Sequence, residues 1–173
     1  RAHPAQTSEA RAELKTLRAR ERIPDIRPQN TKFDGQFAVP TFDEVLALAR
    51  KHDVGVYPET KYPTYFDDLG LAHDEALLAS IERSGVRKVF IQSFEVGNLQ
   101  RLRKKTSLPL VQLIDSGAAS MVSPPGLVEI ARYANAIGPS KNLVTAEVVA
   151  NAHELGLQVH PWTFRAEKAF GPD

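Results

Sequence analysis

Apolar and polar residues follow one another along this chain in blocks that predict alternating strands and helices. Short apolar runs bounded by glycine, proline or polar residues are typical of buried strands, and apolar positions repeated every three or four residues are typical of helices. Strands are predicted at Asp53–Glu59, Lys88–Gln92, Leu108–Ile114, Ala136–Gly138 and Leu157–Phe164. Helices are predicted at Glu9–Arg22, from a cap at Thr41 to about Lys51, and at Asp74–Ser84, Val96–Lys105, Leu127–Ala134 and Thr145–Leu155. Loops are predicted at Thr60–Ala72 and Asp115–Pro125.

Polar residues gather where each predicted strand ends. Alternation of strands with helices favours an α/β fold with a parallel sheet. In such a sheet the carboxyl ends of the strands hold the ligand, both in a (β/α)8 barrel and in a doubly wound sheet. The pattern therefore predicts a site at these ends and leaves the choice between the two folds open. The residues at the strand ends are Glu59 and Lys61, Gln92 and Ser93, Gln112 and Asp115, Lys141, and Trp162 and Arg165.

The strand end at Glu59 and Lys61 carries the most specific chemistry in the chain. Side chains alternate sides along a strand, so these two residues point the same way if the strand continues through them. A carboxylate is a hard oxygen ligand for a divalent cation, and a lysine ammonium is a compact charge suited to a phosphate oxygen. The pair predicts half of a phosphate-ester site. The alternative is a carboxylate at a strand end that is simply paired to a nearby lysine.

Composition restricts the classes of function. With 173 residues, of which 42% are hydrophobic and 25% charged, the chain is long enough for one domain, residues 1–173, with its own core. The net charge of +1 gives no reason to expect a nucleic-acid partner, and no apolar run approaches the ~18 residues of a membrane span. Cysteine is absent, which excludes disulfides, thiol nucleophiles and cysteine-bound zinc. The oligomeric state is left open.

Five segments with specific residue patterns follow one another in order: Val54–Lys61, Val89–Phe94, Leu110–Ile114, Tyr133–Pro139 and Val159–Arg165. Together they resemble glycerophosphodiester phosphodiesterases of the periplasmic type. The resemblance implies a TIM barrel that binds a divalent cation, calcium or magnesium. It further implies hydrolysis of small-molecule glycerophosphodiesters to glycerol 3-phosphate and an alcohol, and a periplasmic or secreted location. The resemblance extends from about residue 13 to the end.

The same resemblance implies roles for particular residues. Glu59 would be a metal ligand, and Lys61 would contact the phosphate and take part in catalysis. Phe94, Trp162 and His160 would line the pocket around the substrate. Considered without the family, His160 is a lone histidine in an apolar strand, which is more typical of a hydrogen-bonded core residue. Trp162 lies on the same strand face and fits the core equally well.

The chain also departs from the family pattern. Family members begin with a strand that bears His-Arg-Gly, continue with Glu-x-Asp and His-Asp motifs, and end with a strand that carries Thr-Asp; these motifs are missing here. The two histidines are the family's acid and base, and the first Glu and Asp share the metal with the residue that matches Glu59. We therefore interpret the chain as the central part of a larger barrel, with about five strand–helix units and two open edges. Because one carboxylate is a poor site for calcium, we expect little or no activity from this chain alone.

Two other functions fit parts of the sequence. A non-catalytic module that keeps Glu59, Lys61 and Trp162 to hold a phosphodiester would lack the same motifs. A phosphate-binding aldolase on a barrel would need a Schiff-base lysine, for which Lys61 is the one candidate. The basic run Arg101–Lys105 resembles an anion site, but it is better explained by the negative carboxyl end of its own helix.

Overall fold

The structure, a computed structural model, describes residues 8–171. Its α-helices are α1 Ser8–Leu14, α2 Phe42–Lys51, α3 Pro63–Asp68, α4 Asp74–Ser84, α5 Val96–Arg103, α6 Pro124–Ala131 and α7 Ala146–Glu154. Its strands are β1 Ile91–Ser93, β2 Leu110–Ile114, β3 Ala136–Pro139 and β4 Gln158–Val159. Short 3-10 helices occur at Pro28–Phe33, Ser116–Val122, Lys141–Leu143 and Lys168–Phe170. None of the helices between residues 8 and 171 has the length and apolarity needed to cross a membrane.

The strands form one parallel sheet whose order is the order of the chain, β1–β2–β3–β4. A fifth extended segment, residues 54–60, lies beside β1 and joins it through parallel bridges that pair Val56 with Val89 and Glu59 with Gln92. Because each strand pairs with the next one along the chain, a helix covers every crossover on the same side of the sheet. The predicted α/β fold with a parallel sheet is confirmed.

The core lies between the sheet and its helices. Register places Ile91 beside Leu110 and Gln112 beside Ile137, and these residues face the helices. Their neighbours along each strand therefore face the opposite side, since side chains alternate. The largest fully buried side chains of this core are Leu46, Ile91, Leu99, Leu102, Leu110, Ile114, Leu127, Ile130 and Ile137.

The side of the sheet away from the helices is concave. The hydroxyl of Tyr57, in the first extended segment, lies 2.7 Å from Nδ1 of His160, just beyond β4. Four strand spacings of about 4.8 Å each would hold these segments roughly 19 Å apart in a flat sheet. Two side chains cannot bridge that gap, so the sheet must curve. The curvature is that of a partial barrel wall, as the sequence predicts.

Local capping explains where several helices begin and end. The Thr41 hydroxyl accepts a hydrogen bond from the Glu44 amide, and the Glu44 carboxylate accepts one from the Thr41 amide. This reciprocal pair satisfies two amide groups that the first turn of α2 leaves free. At the other end of the next long helix, Gly85 ends α4 with a φ of 70°, which glycine adopts without steric cost.

The N-terminal helix and the last strand are several residues shorter in the structure than the sequence predicts. The helix predicted at Glu9–Arg22 ends at Leu14, because α1 has no buried residue to hold it against the core. The chain then forms an antiparallel bridge between Arg18 and Ala38. The strand predicted at Leu157–Phe164 narrows to β4, beyond which the amide of His160 still donates to the carbonyl oxygen of Ile137. Pairing resumes at Trp162, which bridges to Ser140.

Two predicted loops contain helices. The loop predicted at Thr60–Ala72 holds α3, which begins at Pro63 in the first helical position. The loop predicted at Asp115–Pro125 holds a 3-10 helix and the start of α6. The hydroxyl of Ser123 accepts a hydrogen bond from the Gly126 amide and caps α6, with Pro124 following it. The cap and the proline are signals that apolar periodicity alone does not reveal.

Candidate functional site

A cavity of about 410 Å³ lies at the carboxyl ends of the first extended segment, β1 and β2. Each of these three segments contributes a residue that directly follows its last extended position. The sheet thereby gathers carboxylates, an ammonium group and an aromatic ring around one space, as the strand-end pattern predicts. The lining residues are Glu59, Thr60, Lys61, Tyr62, Pro63, Phe94, Glu95 and Asp115.

Glu59 and Lys61 both line this cavity, and both side chains are exposed. Within residues 8–171, neither side chain forms an ion pair or a hydrogen bond, with the other or with any further group. The alternative of a simple strand-end ion pair between them is therefore not what the structure contains. The carboxylate and the ammonium group remain available to a ligand.

Phe94 follows β1 and lies on the same concave side as Glu59. Its ring meets the ring of Trp162 edge to face, with centroids 5.7 Å apart. The indole nitrogen of Trp162 donates a hydrogen bond of 2.8 Å to the carbonyl oxygen of Gly138, which fixes the plane of the indole. The structure thus brings Trp162 to the cavity through Phe94, as an apolar wall that spans from β1 to the end of the sheet.

His160 lies apart from this cavity, beside a separate cavity of about 430 Å³ at the other end of β4. Its Nε2 is 3.0 Å from the side-chain oxygen of Gln158, which can only accept, so Nε2 carries the hydrogen. Nδ1 then accepts from the hydroxyl of Tyr57. Burial lowers the pKa of His160, which favours this neutral form, and burial raises the pKa of Tyr57 to about 12.

Because both of its ring nitrogens are hydrogen-bonded within the protein, His160 stabilises the packing of the concave face. Its ring also meets Phe90 edge to face at 5.1 Å, while Phe90 stacks on Tyr57 at 5.6 Å. This arrangement matches the core interpretation of a lone strand histidine. Direct contact of His160 with substrate stays a prediction.

Acidic residues are the natural ligands of calcium or magnesium, and three of them border the cavity. Glu95 is held by Thr64, whose amide and hydroxyl both donate to its carboxylate. Asp115 accepts a weak bond of 3.4 Å from the amide of Gly117. Across residues 8–171, no group of three His, Cys, Asp or Glu side chains is arranged to hold a metal ion. These residues alone therefore do not fit a complete calcium or magnesium site.

Two further polar residues at strand ends, Gln112 and Ser93, face the helices. Gln112 is fully buried on the helix side, where it donates to the carbonyl oxygens of Phe94 and Leu113 and accepts from the hydroxyl of Tyr133. Ser93 is also fully buried, and its hydroxyl donates to the carbonyl oxygen of Thr60. Both residues support the loops that form the cavity and do not face it.

The basic run Arg101–Lys105 takes part in ion pairs within the protein. Arg101 pairs with Asp67 at 2.6 Å and with Asp74 at 3.5 Å, and Lys105 pairs with Glu75 at 2.8 Å. These carboxylates neutralise Arg101 and Lys105, while Arg103 donates to the carbonyl oxygens of Thr106 and Leu108 beyond the helix end. The run is therefore a link between α5, α3 and α4, and not a free anion site.

Comparison with known proteins is consistent with this geometry. A model of the Glycerophosphoryl diester phosphodiesterase family matches residues 7–170, which is almost the whole chain. The chain belongs to this family. The resemblance stated from the sequence segments is thereby confirmed.

Comparison with a curated relative shows what share of that protein's length this chain covers. The glycerophosphodiester phosphodiesterase GDPD6 of Arabidopsis thaliana is 30% identical over 196 aligned positions, which cover 91% of this chain and 52% of that protein. The chain thus spans about half the length of this curated relative.

Solved structures of the family share the fold. One assigned as a glycerophosphoryl diester phosphodiesterase from Silicibacter pomeroyi superposes with a TM-score of 0.69 at 24% identity, over 88% of this chain and 57% of that one. A glycerophosphodiester phosphodiesterase from Parabacteroides distasonis gives a TM-score of 0.64 at 16% identity, over 89% and 58%. At these identities the likeness concerns the fold, and it identifies the curved sheet as part of the family's TIM barrel.

Proposed function

We propose that this chain forms the phosphate-facing part of a glycerophosphodiester phosphodiesterase, which hydrolyses glycerophosphodiesters to glycerol 3-phosphate and an alcohol. Family membership and the activity for which the Arabidopsis relative is named support the reaction class. The observation that carries the assignment to this site is the pair Glu59 and Lys61, unpaired and adjacent in one cavity at the strand ends.

Lys61 and the aromatic wall have distinct tasks in this proposal. The ammonium group of Lys61 would bind a phosphoryl oxygen and stabilise the negative charge that grows there in the transition state. Phe94, backed by Trp162, offers an apolar surface to the glycerol or alcohol part of the substrate. The acid and base of the reaction would come from motifs that these 173 residues do not contain.

Glu59 is proposed as one ligand of a divalent cation, calcium or magnesium, which would polarise the phosphoryl oxygens when bound. Hard cations need several oxygen ligands, and the described residues offer no group of three carboxylates or histidines. The proposal therefore requires further ligands from the family motifs that this sequence lacks. It also includes the expectation that the chain alone has little or no activity.

The test is hydrolysis of glycerophosphocholine, with calcium or magnesium, by this chain and by the polypeptide of the full reading frame. Lys61→Met should lower kcat by about 10²- to 10³-fold in an active form, because a charge that contacts the transition state is lost. Glu59→Gln should abolish metal-dependent turnover. Lys104→Met, just after α5, and Glu154→Gln, at the end of α7, are matched controls at exposed positions outside the cavity and should keep wild-type rates. Equal rates in Lys61→Met and Lys104→Met would contradict the proposal.

A second candidate is a non-catalytic module that holds a phosphodiester through Glu59, Lys61 and Trp162. The absence of a three-ligand group within residues 8–171 favours it. Calorimetry with glycerophosphocholine separates the two functions. Binding that depends on Lys61, without turnover by either polypeptide, would identify the module.

A further inference from the structure

Thr60 separates the two site residues and is the most firmly held residue of the cavity rim. Its amide donates to the carbonyl oxygen of Gln92 at 3.0 Å, and its carbonyl oxygen accepts from the hydroxyl of Ser93. Its own hydroxyl donates to the side-chain oxygen of Asn98 at 2.6 Å. All three polar groups of Thr60 are therefore bonded, whereas the side chains of its neighbours Glu59 and Lys61 bond to no other group within residues 8–171.

Asn98 continues this chain of bonds into the helix layer. It lies in the first turn of α5, is fully buried, and donates from Nδ2 to the Asp74 carboxylate at 2.8 Å. Asp74 opens α4 and is 4% exposed. A buried carboxylate and a buried amide are costly unless their hydrogen bonds are satisfied, so this connection strongly favours one geometry.

Cations complete the far end of the connection. Arg101 lies 3.5 Å from Asp74 and 2.6 Å from Asp67, and Lys105 lies 3.8 Å from Asp74. These pairs fix Asp74 from the side opposite Asn98 and tie α5 to both α4 and α3. Hydrogen bonds and ion pairs thus connect the side chain of Thr60 to α5, and through α5 to α4 and α3.

We propose that Asn98 and Asp74 are positioning residues that aim Glu59 and Lys61 into the cavity by holding Thr60 on the helix side. The inference rests on the proposed function of that pair. Because side chains alternate along a strand, a slip of one residue would turn Glu59 and Lys61 toward the helices. The segment from Tyr57 to Lys61 has few apolar residues to specify register, so the polar anchor at Thr60 supplies it.

The experiment compares Thr60→Val with Thr60→Ser in the polypeptide of the full reading frame. Valine keeps the shape of threonine but removes the hydroxyl that donates a hydrogen bond to Asn98, whereas serine keeps that hydroxyl. Asn98→Leu removes the same bond from the other partner. Thr106→Val is the control, because it makes the same substitution at a half-buried hydroxyl that accepts from the amide of Leu108, just before β2 and away from the cavity. Steady-state hydrolysis of glycerophosphocholine, thermal unfolding and amide exchange by NMR are measured for each variant.

We expect kcat/KM to fall at least about tenfold in Thr60→Val and in Asn98→Leu, since small displacements of catalytic groups have effects of that order. Thr60→Ser should stay within about twofold of wild type. Thr106→Val should also stay within about twofold, even if its unfolding temperature falls as much as that of Thr60→Val. The amide of Thr60 should exchange faster in Thr60→Val and in Asn98→Leu, and at the wild-type rate in Thr60→Ser. If Asn98→Leu does not fold, the two Thr60 variants decide the question.

Different failures have different meanings. Wild-type kcat/KM in Thr60→Val, together with loss of activity in Glu59→Gln, overturns the positioning role and keeps the proposed function. If wild type and Glu59→Gln are equally inactive, the proposed function fails and amide exchange decides the positioning role. Unchanged exchange at Thr60 in Thr60→Val then overturns it, and faster exchange supports it.

Discussion

Two glycines in matching places should respond with opposite sign to the same substitution. Gly97 lies in the first turn of α5 and Gly126 in the first turn of α6. A methyl group added at Gly97 meets nothing within 4 Å. The same methyl group at Gly126 would lie 2.5 Å from the carbonyl oxygen of Ser120 and 2.6 Å from that of Met121. Both of those atoms belong to the backbone, so no side-chain rotation can relieve the contact.

These distances set the expected magnitudes. Gly97→Ala should raise the free energy of unfolding by about 0.5 kcal/mol, because alanine loses less backbone entropy than glycine in a helix. Gly126→Ala has the same entropic gain, but overpacking against rigid atoms costs about 1–3 kcal/mol or more. The net change should be a loss of about 1–3 kcal/mol.

Urea unfolding of the two variants and of wild type, followed by circular dichroism, measures both changes. Gly126→Ala should also disturb the 3-10 helix Ser116–Val122, which starts beside Asp115 at the cavity. Equal stability of the two variants would refute the argument from close approach. A stabilised Gly126→Ala would mean that Ser120 and Met121 can move apart without cost.

Two further predictions concern the concave face. Tyr57→Phe keeps the stacking on Phe90 and removes the 2.7 Å hydrogen bond to His160. The free energy of unfolding, measured by urea titration, should therefore fall by about 0.5–1.5 kcal/mol. An unchanged urea midpoint would show that this hydrogen bond does not stabilise the fold. For His160, burial lowers the pKa below its ordinary value of 6.5, so the unfolded chain binds the proton more readily. The stability that neutral His160 contributes is present above about pH 6.5 and is lost as the pH falls through the lower pKa of the folded state. His160→Gln should therefore lose less of its free energy of unfolding between pH 7 and 5 than wild type does. Equal pH dependence of stability in the two proteins would contradict this.

Local sequence signals predict the parts of the fold that depend on neighbouring residues. The reciprocal cap of Thr41 and Glu44 and the glycine that ends α4 occur as expected, because their bonds join residues a few positions apart. The N-terminal helix is shorter than its pattern predicts. Leu14 and Leu17, three positions apart in the predicted helix, are both exposed, and periodicity cannot reveal whether a core lies opposite them.

The site shows the same division between local and distant information. Alternation along strands is enough to direct Glu59 and Lys61 to one side and to place Phe94 with them. It also separates Gln112 from Asp115, since residues three apart cannot share a strand face. The anchoring of Thr60 by Asn98 and Asp74 is not visible in the sequence, because these contacts join distant positions through side-chain geometry.

The agreement between strand order and chain order has a consequence for how the protein folds. Val56 pairs with Val89, Ile91 with Leu110 and Val111 with Ala136, so each of these ladders joins neighbouring units and closes a smaller loop than a contact across the whole sheet. The sheet can therefore grow from one unit to the next, much as a repeat protein does. Contacts across the curved face, such as that of Phe94 with Trp162, join units that are not neighbours and should form last. Because Trp162 is the sole tryptophan of the chain, its fluorescence should time that final step in a refolding experiment.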